Sequence, residues 1–220
     1  MKKQVALLLL LFSLALCSCK SESTKDRPNI ILIMADDMGY ESLSVNGATS
    51  YHTPNLDRLA SNGIRFSKAI SQPLCTPSRV KIMTGLYNYR NYDYFANLNT
   101  NQYTFGNLMQ EAGYATCVAG KWQLNGQSHK DEIPNWEDST KPIQFGFDEY
   151  CLWQLTKRGS RYANPLIEQN GAFLESKTTD YGPDIFANYI LDFIERKKEQ
   201  PFFIYYPMVL VHDPFVPTPD

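Results

Sequence analysis

Apolar residues along this chain follow two alternating rhythms. Residues 30–34 form a continuous apolar, β-branched run, which predicts a central parallel strand buried on both faces. Over residues 53–63 the period changes to that of a helix, with Leu56, Leu59 and Ala60 on one face. Thr53 suits the N-cap, Pro54 the first helical position and Gly63 the left-handed C-terminal position. Residues 64–70 predict a short strand, and residues 79–85 the start of a helix with Val80 and Met83 on one side. A capped helix over residues 104–112 presents Phe105, Leu108 and Met109, and Gly113 ends it. Residues 114–119 read as the next strand and deliver Lys121 at its far end. Residues 125–179 are loop-rich, polar and aromatic, and their pattern places no element. An amphipathic helix follows over residues 183–197 through Ile185, Tyr189, Phe193 and Ile194. Residues 202–211 read as a further strand, disturbed at Pro207, that delivers His212.

This alternation predicts an α/β fold, a mostly parallel central sheet flanked by helices. Ligands of such sheets bind beyond the carboxyl ends of the strands. Asp36–Asp37, Lys121 and His212 each follow such an end, so the pattern gathers them on one edge.

Composition narrows the picture. The net charge is −2, and no basic block or stripe invites nucleic acid. A hydrophobic fraction of 43% fits one globular domain, placed at residues 28–220. The first residues fall outside it. Lys2 and Lys3 precede an apolar run over residues 5–16 that is too short to span a bilayer comfortably, which predicts an export signal at residues 1–18. Leu16-Cys17-Ser18-Cys19 looks like a lipoprotein box with Cys19 acylated, and residues 19–27 would then be a tether holding the protein to a membrane. Ordinary secretion, with both cysteines lost, is the alternative. The expected location is the periplasm or outer membrane of a Gram-negative-type bacterium. Cys117 reads as a core residue. A Cys117–Cys151 disulfide is compatible with an oxidising compartment, but spacing does not establish it.

The chemistry lies in four short blocks. Asp36 and Asp37 offer adjacent carboxylates on an exposed loop, hard oxygen ligands suited to Ca²⁺ or Mg²⁺. Most Asp-Asp pairs are solvated turns or helix caps, so the pair needs its neighbours. Cys75-Thr76-Pro77-Ser78-Arg79 carries a Cys-x-Pro-x-Arg pattern, which composition alone produces in on the order of 1 in 100 chains of this size. Arg79, four residues on, shares a helical face with Cys75, and its guanidinium can hold a nucleophile and neutralise charge. Gly120-Lys121-Trp122 and His212-Asp213-Pro214-Phe215 complete the set. Together these blocks resemble the sulfatases, and the resemblance runs from residue 27 to residue 220.

That resemblance implies an alkaline-phosphatase-like sandwich, with this chain as the amino-terminal part of the catalytic domain. It implies that a sulfatase-maturing enzyme oxidises Cys75 to formylglycine (3-oxoalanine). One hydroxyl of the aldehyde hydrate would sit on a metal held by Asp36, Asp37 and the Cys75 side chain, Ca²⁺ in preference to Mg²⁺ or Mn²⁺. That hydroxyl would attack sulfur, and the second would later expel sulfate and regenerate the aldehyde. Lys121 would bridge the formylglycine and a sulfate oxygen. His212 would contact the sulfate or the leaving-group oxygen as a candidate acid. The sequence departs from the commonest family pattern at Gln123, where many sulfatases have histidine. Glutamine can hydrogen-bond the substrate side of the site but cannot accept a proton. Further metal ligands and another sulfate-binding lysine would come from the second half of the domain. His52 and His129 read as surface or loop residues. The expected substrate is a sulfated small molecule or glycan. A related phosphonate or phosphate monoester hydrolase, and an inactive lipoprotein remnant, remain as alternatives.

Overall fold

The computed structural model describes residues 27–219, so the export signal, Cys19 and all but the last residue of the tether lie outside the described residues. Six strands form one sheet in the order β1-β6-β2-β3-β4-β5. They are β1 (Ile30–Met34), β2 (Ala115–Lys121), β3 (Glu149–Trp153), β4 (Ile167–Gln169), β5 (Ala172–Phe173) and β6 (Phe202–Pro207). Neighbours from β1 through β6 and β2 to β3 run parallel, whereas β4 and β5 are antiparallel. The helices are α1 (Pro54–Asn62), α2 (Cys75–Thr84), α3 (Phe105–Glu111), α4 (Lys141–Gln144) and α5 (Gly182–Lys197).

Strand side chains alternate between faces, and each face builds its own core. Val118, Tyr150, Leu152, Phe203 and Tyr205 point towards α2 and α3, meeting Val80, Met83, Phe105 and Met109. Cys117, Ala119, Cys151, Trp153, Phe202 and Ile204 point the other way, against Phe186, Tyr189, Ile190 and Phe193 of α5. The Thr104 cap is confirmed: Gly106 N and Asn107 N donate to Oγ1 at 3.1 and 3.4 Å, and Thr104 N donates back to Asn107 Oδ1 at 3.0 Å. Of that helix's three apolar residues, Phe105 and Met109 pack inward, whereas Leu108 is exposed.

Several expectations change. β1 is an edge strand, and Ile31 and Ile33 are 46% and 56% exposed. They lie in register with β6 on the α5 face, but α5 covers only the strands further in. Residues 64–70 form no strand, and Ile64, Phe66 and Ile70 are all exposed. Leu56 and Leu59 of α1 are exposed rather than packed. Gly63 has an extended backbone, not a left-handed one; Thr53 does stand at the N-cap, but its Oγ1 accepts from Ser44 N at 2.9 Å and caps no backbone N–H of the helix. Helix α2 starts at Cys75, four residues earlier than its periodicity shows, and Gly85 closes it at φ 67°. Strand β6 ends at Pro207, leaving His212 in the following loop. Within residues 125–179, β3 to β5 form where no element was placed. Asn170 and Gly171, both with positive φ, turn the β4–β5 hairpin. Cys117 and Cys151 are buried free thiols on neighbouring strands, not a disulfide, and burial pushes the Cys151 thiol up to about 12.

Candidate active site

The carboxyl ends of the parallel strands do not stop at their last ladder bond. Asp36 N donates to Leu210 O at 2.8 Å and Val211 N to Asp36 O at 2.7 Å, so the chains leaving β1 and β6 stay paired. Trp122 N and Gln123 N likewise donate to Trp153 O and Gln154 O, at 3.0 and 3.1 Å, beyond β2 and β3. The four loops are thereby fixed in two pairs along this edge. Gly120 sets the approach of β2 to β6: at φ 123°, a Cβ there would stand 2.1 Å from Pro207 O. Only glycine fits.

Asp36 is the centre of the site. Its carboxylate is 3% exposed, which corrects the expectation of an exposed pair. Lys121 Nζ lies 2.7 Å from Oδ2 and Arg79 Nη2 3.2 Å from Oδ1. Arg79 Nη1 also donates to Lys121 O at 2.9 Å, locking the first turns of α2 to the end of β2. Burial is the main cause holding Lys121 below the ordinary lysine range, with Asp36 opposing it and Arg79 reinforcing it. Asp36 is thus shared among cations in a dry environment, where electrostatic interactions are strong.

Cys75 is the first residue of α2, one turn before Arg79 as its spacing indicates. Its Sγ donates to Gln123 Oε1 at 3.2 Å. Gln123 reaches it from a left-handed backbone, φ 54°. Asp37 also has φ 57°, which turns its side chain away from that of Asp36 and into solvent at 61% exposure. There it meets His212, whose Nε2 is 3.4 Å from Asp37 Oδ2. Asp213 Oδ1 holds the other ring nitrogen at 2.7 Å. His52 is exposed and His129 packs against Tyr94, both in loops as expected.

The sequence reading missed two neighbours. Arg161 brings a third cation to Asp36, with Nη1 3.7 Å from Oδ2. Tyr162 donates its hydroxyl to Val209 O at 3.0 Å and to His212 O, fixing the His212 loop. Both lie in the stretch whose pattern placed no element. The Asn170-Gly171 turn was the one local signal there that a strand pair lay close by.

A divalent ion implied at Asp36 and Asp37 finds the right donor chemistry in their hard oxygens. Among the described residues, however, no group of three or more His, Cys, Asp or Glu side chains could hold a metal. The expected trio of Asp36, Asp37 and Cys75 is not gathered as such a group, because Asp36 faces the cations and Asp37 faces His212. These residues fit as part of a ligand set.

Fold and site together define an α/β sandwich whose sheet edge carries a buried cationic cluster beside a cysteine at a helix start. The sequence model described as Sulfatase matches residues 28–220, and the chain belongs to the sulfatase family. It is 34% identical over 220 residues to the N-acetylglucosamine-6-O-sulfatase of Bacteroides thetaiotaomicron, covering 97% of this chain and 36% of that protein. It is 33% identical over 218 residues to human N-acetylgalactosamine-6-sulfatase, covering 85% of this chain and 40% of that one. The chain therefore spans well under half the length of these relatives. A solved structure bound to its substrate D-glucosamine-2-N,6-O-disulfate superposes with a TM-score of 0.73 at 31% identity, over 87% of this chain and 36% of that one. Another, Ps i-CgsB with k-i-k-neocarrahexaose, gives a TM-score of 0.70 at 28% identity, over 86% and 46% of the two chains. The alkaline-phosphatase-like sandwich is the fold expected from the sequence.

Proposed function

We propose that the protein hydrolyses sulfate esters of glycans, at the 6-O-sulfate of a hexosamine, with Cys75 in its formylglycine form as nucleophile. The observation that carries this reading is the buried cluster of Arg79 and Lys121 on Asp36, next to the Cys75–Gln123 contact. A sulfate ester presents negative oxygens, and this edge offers fixed positive charge that needs no rearrangement at the moment of reaction. The 6-sulfated hexosamine follows from the names of the two sequence relatives and the ligand of the first structural one.

In this reading Arg79 orients the residue at position 75 from the next helical turn, and Lys121 holds a sulfate oxygen. Gln123 keeps the nucleophile in line through a hydrogen bond and takes no proton. His212 stands on the solvent side, where an alcohol would leave, and is the candidate proton donor to it. Asp36 and Asp37 would supply part of a Ca²⁺ site, an ion whose positive charge acidifies a bound hydroxyl. Export as a lipoprotein through Cys19, and maturation by a formylglycine-generating enzyme, belong to the same proposal.

The test joins chemistry and modification. The protein co-expressed with a maturing enzyme should show the formylglycine mass in the Cys75 peptide and cleave an aryl sulfate faster than the matching aryl phosphate. Cys75→Ala should abolish turnover with the fold intact. Equal turnover by both forms, or preference for phosphate, rejects the proposal.

A further inference from the structure

Arg161 is nine-tenths buried, positively charged and short of acceptors. Its side chain is 10% exposed, and its guanidinium carbon lies 4.2 Å from the centre of the Trp153 ring, a cation–π contact that holds the group in place. Among the described residues Nη1 is buried without a hydrogen-bond acceptor, since Asp36 Oδ2 at 3.7 Å is beyond bonding distance. Arg79 Nε, in the same cluster, is buried and unbonded as well. Three cations thus face the single carboxylate of Asp36, leaving surplus positive charge and free N–H donors at the sheet edge. The segment is also held firmly. Gly182 N donates to Tyr162 O at 2.9 Å, and a Cβ on Gly182 would meet Arg161 O at 2.0 Å. Tyr162 in turn fastens the His212 loop.

We propose that Arg161 binds the substrate directly, donating from its free guanidinium edge to a sulfate oxygen opposite Arg79 and Lys121. The proposal rests on the sulfate-ester reading above. A planar donor fork already held against Trp153 loses little freedom on binding a tetrahedral anion. Its anchorage to the His212 loop sets the bound sulfate and the leaving-group side in fixed relation.

The experiment is titration calorimetry of inorganic sulfate into the full chain, with nitrate as the monoanion reference at constant ionic strength. Arg161→Gln should weaken sulfate about 10-fold or more, the loss expected for one charge-assisted hydrogen bond, and nitrate far less. Lys121→Gln should weaken sulfate comparably, and exposed Arg58→Gln should leave it unchanged. Arg161→Lys retains the charge without the fork and should fall between wild type and Arg161→Gln; it carries the test if the glutamine variant does not fold. A purely structural role would lower the melting temperature without a selective loss of sulfate over nitrate. Unchanged sulfate binding in the Arg161 variants, with loss in Lys121→Gln, overturns the assignment of Arg161 alone. A wild-type chain that does not prefer sulfate to nitrate overturns the sulfate-ester reading, and Arg161 with it.

Discussion

Replacing Asp36 by Asn removes one charge and keeps the side-chain shape. At the centre of this cluster that is a severe change. Asp36, Arg79 and Lys121 are all at most 3% exposed, so water cannot take over the role of the lost carboxylate. The amide oxygen still accepts a hydrogen bond, but the Asn amino group faces a cation where a negative oxygen stood. Breaking a buried ion pair by removing one partner costs about 3–5 kcal/mol, because an uncompensated charge remains. For a domain this size each kcal/mol moves the melting point by about 2–4 °C, so Asp36→Asn should melt about 6–20 °C below wild type. Asp37→Asn is the internal control. Its carboxylate is 61% exposed and, among the described residues, pairs with His212 alone, so its loss should cost no more than about 1 kcal/mol. Thermal unfolding by circular dichroism, supported by urea titration, separates the two. A Asp36→Asn protein melting within about 2 °C of wild type would refute the reasoning, as would two variants falling equally.

Gly120→Ala should cost more than about 4 kcal/mol or prevent soluble accumulation, since the new Cβ would stand 2.1 Å from Pro207 O at φ 123°; ordinary melting of that variant would show that β2 and β6 can part there. Glu149, at the start of β3, accepts from Arg196 of α5 at 2.9 and 2.6 Å, and these bonds hold its carboxyl below the usual range against the opposing effect of burial. A depressed acid stabilises the fold above its unfolded pKa of about 4.3, and that contribution disappears as pH falls through the folded value. Glu149→Gln should therefore lose about 0.5–1 kcal/mol at pH 7 in urea titration, allowing for solvent screening, and match wild type under acid conditions. A gap that stays constant with pH would disprove the ion pair's contribution.

Periodicity and short motifs placed much of this protein. The strand at β2 and the helices α3 and α5 were legible because each is a local pattern: an apolar run, a threonine cap, a stripe at helical spacing. Cys75, Arg79 and Lys121 were legible for the same reason, one by its motif, one by its helical offset and one by its strand end. Tertiary structure decided the rest. An apolar run says that a strand forms but not which neighbours cover it, so β1 could not be recognised as an edge with Ile31 and Ile33 bare. Adjacent aspartates say that two carboxylates are near in sequence. Only the left-handed backbone at Asp37 sent one inward to three cations and the other out to His212. Arg161 carries no local signal at all. It matters because β3 ends at Trp153 and the chain folds back over that ring to Asp36, a meeting set by long-range packing between residues far apart in sequence.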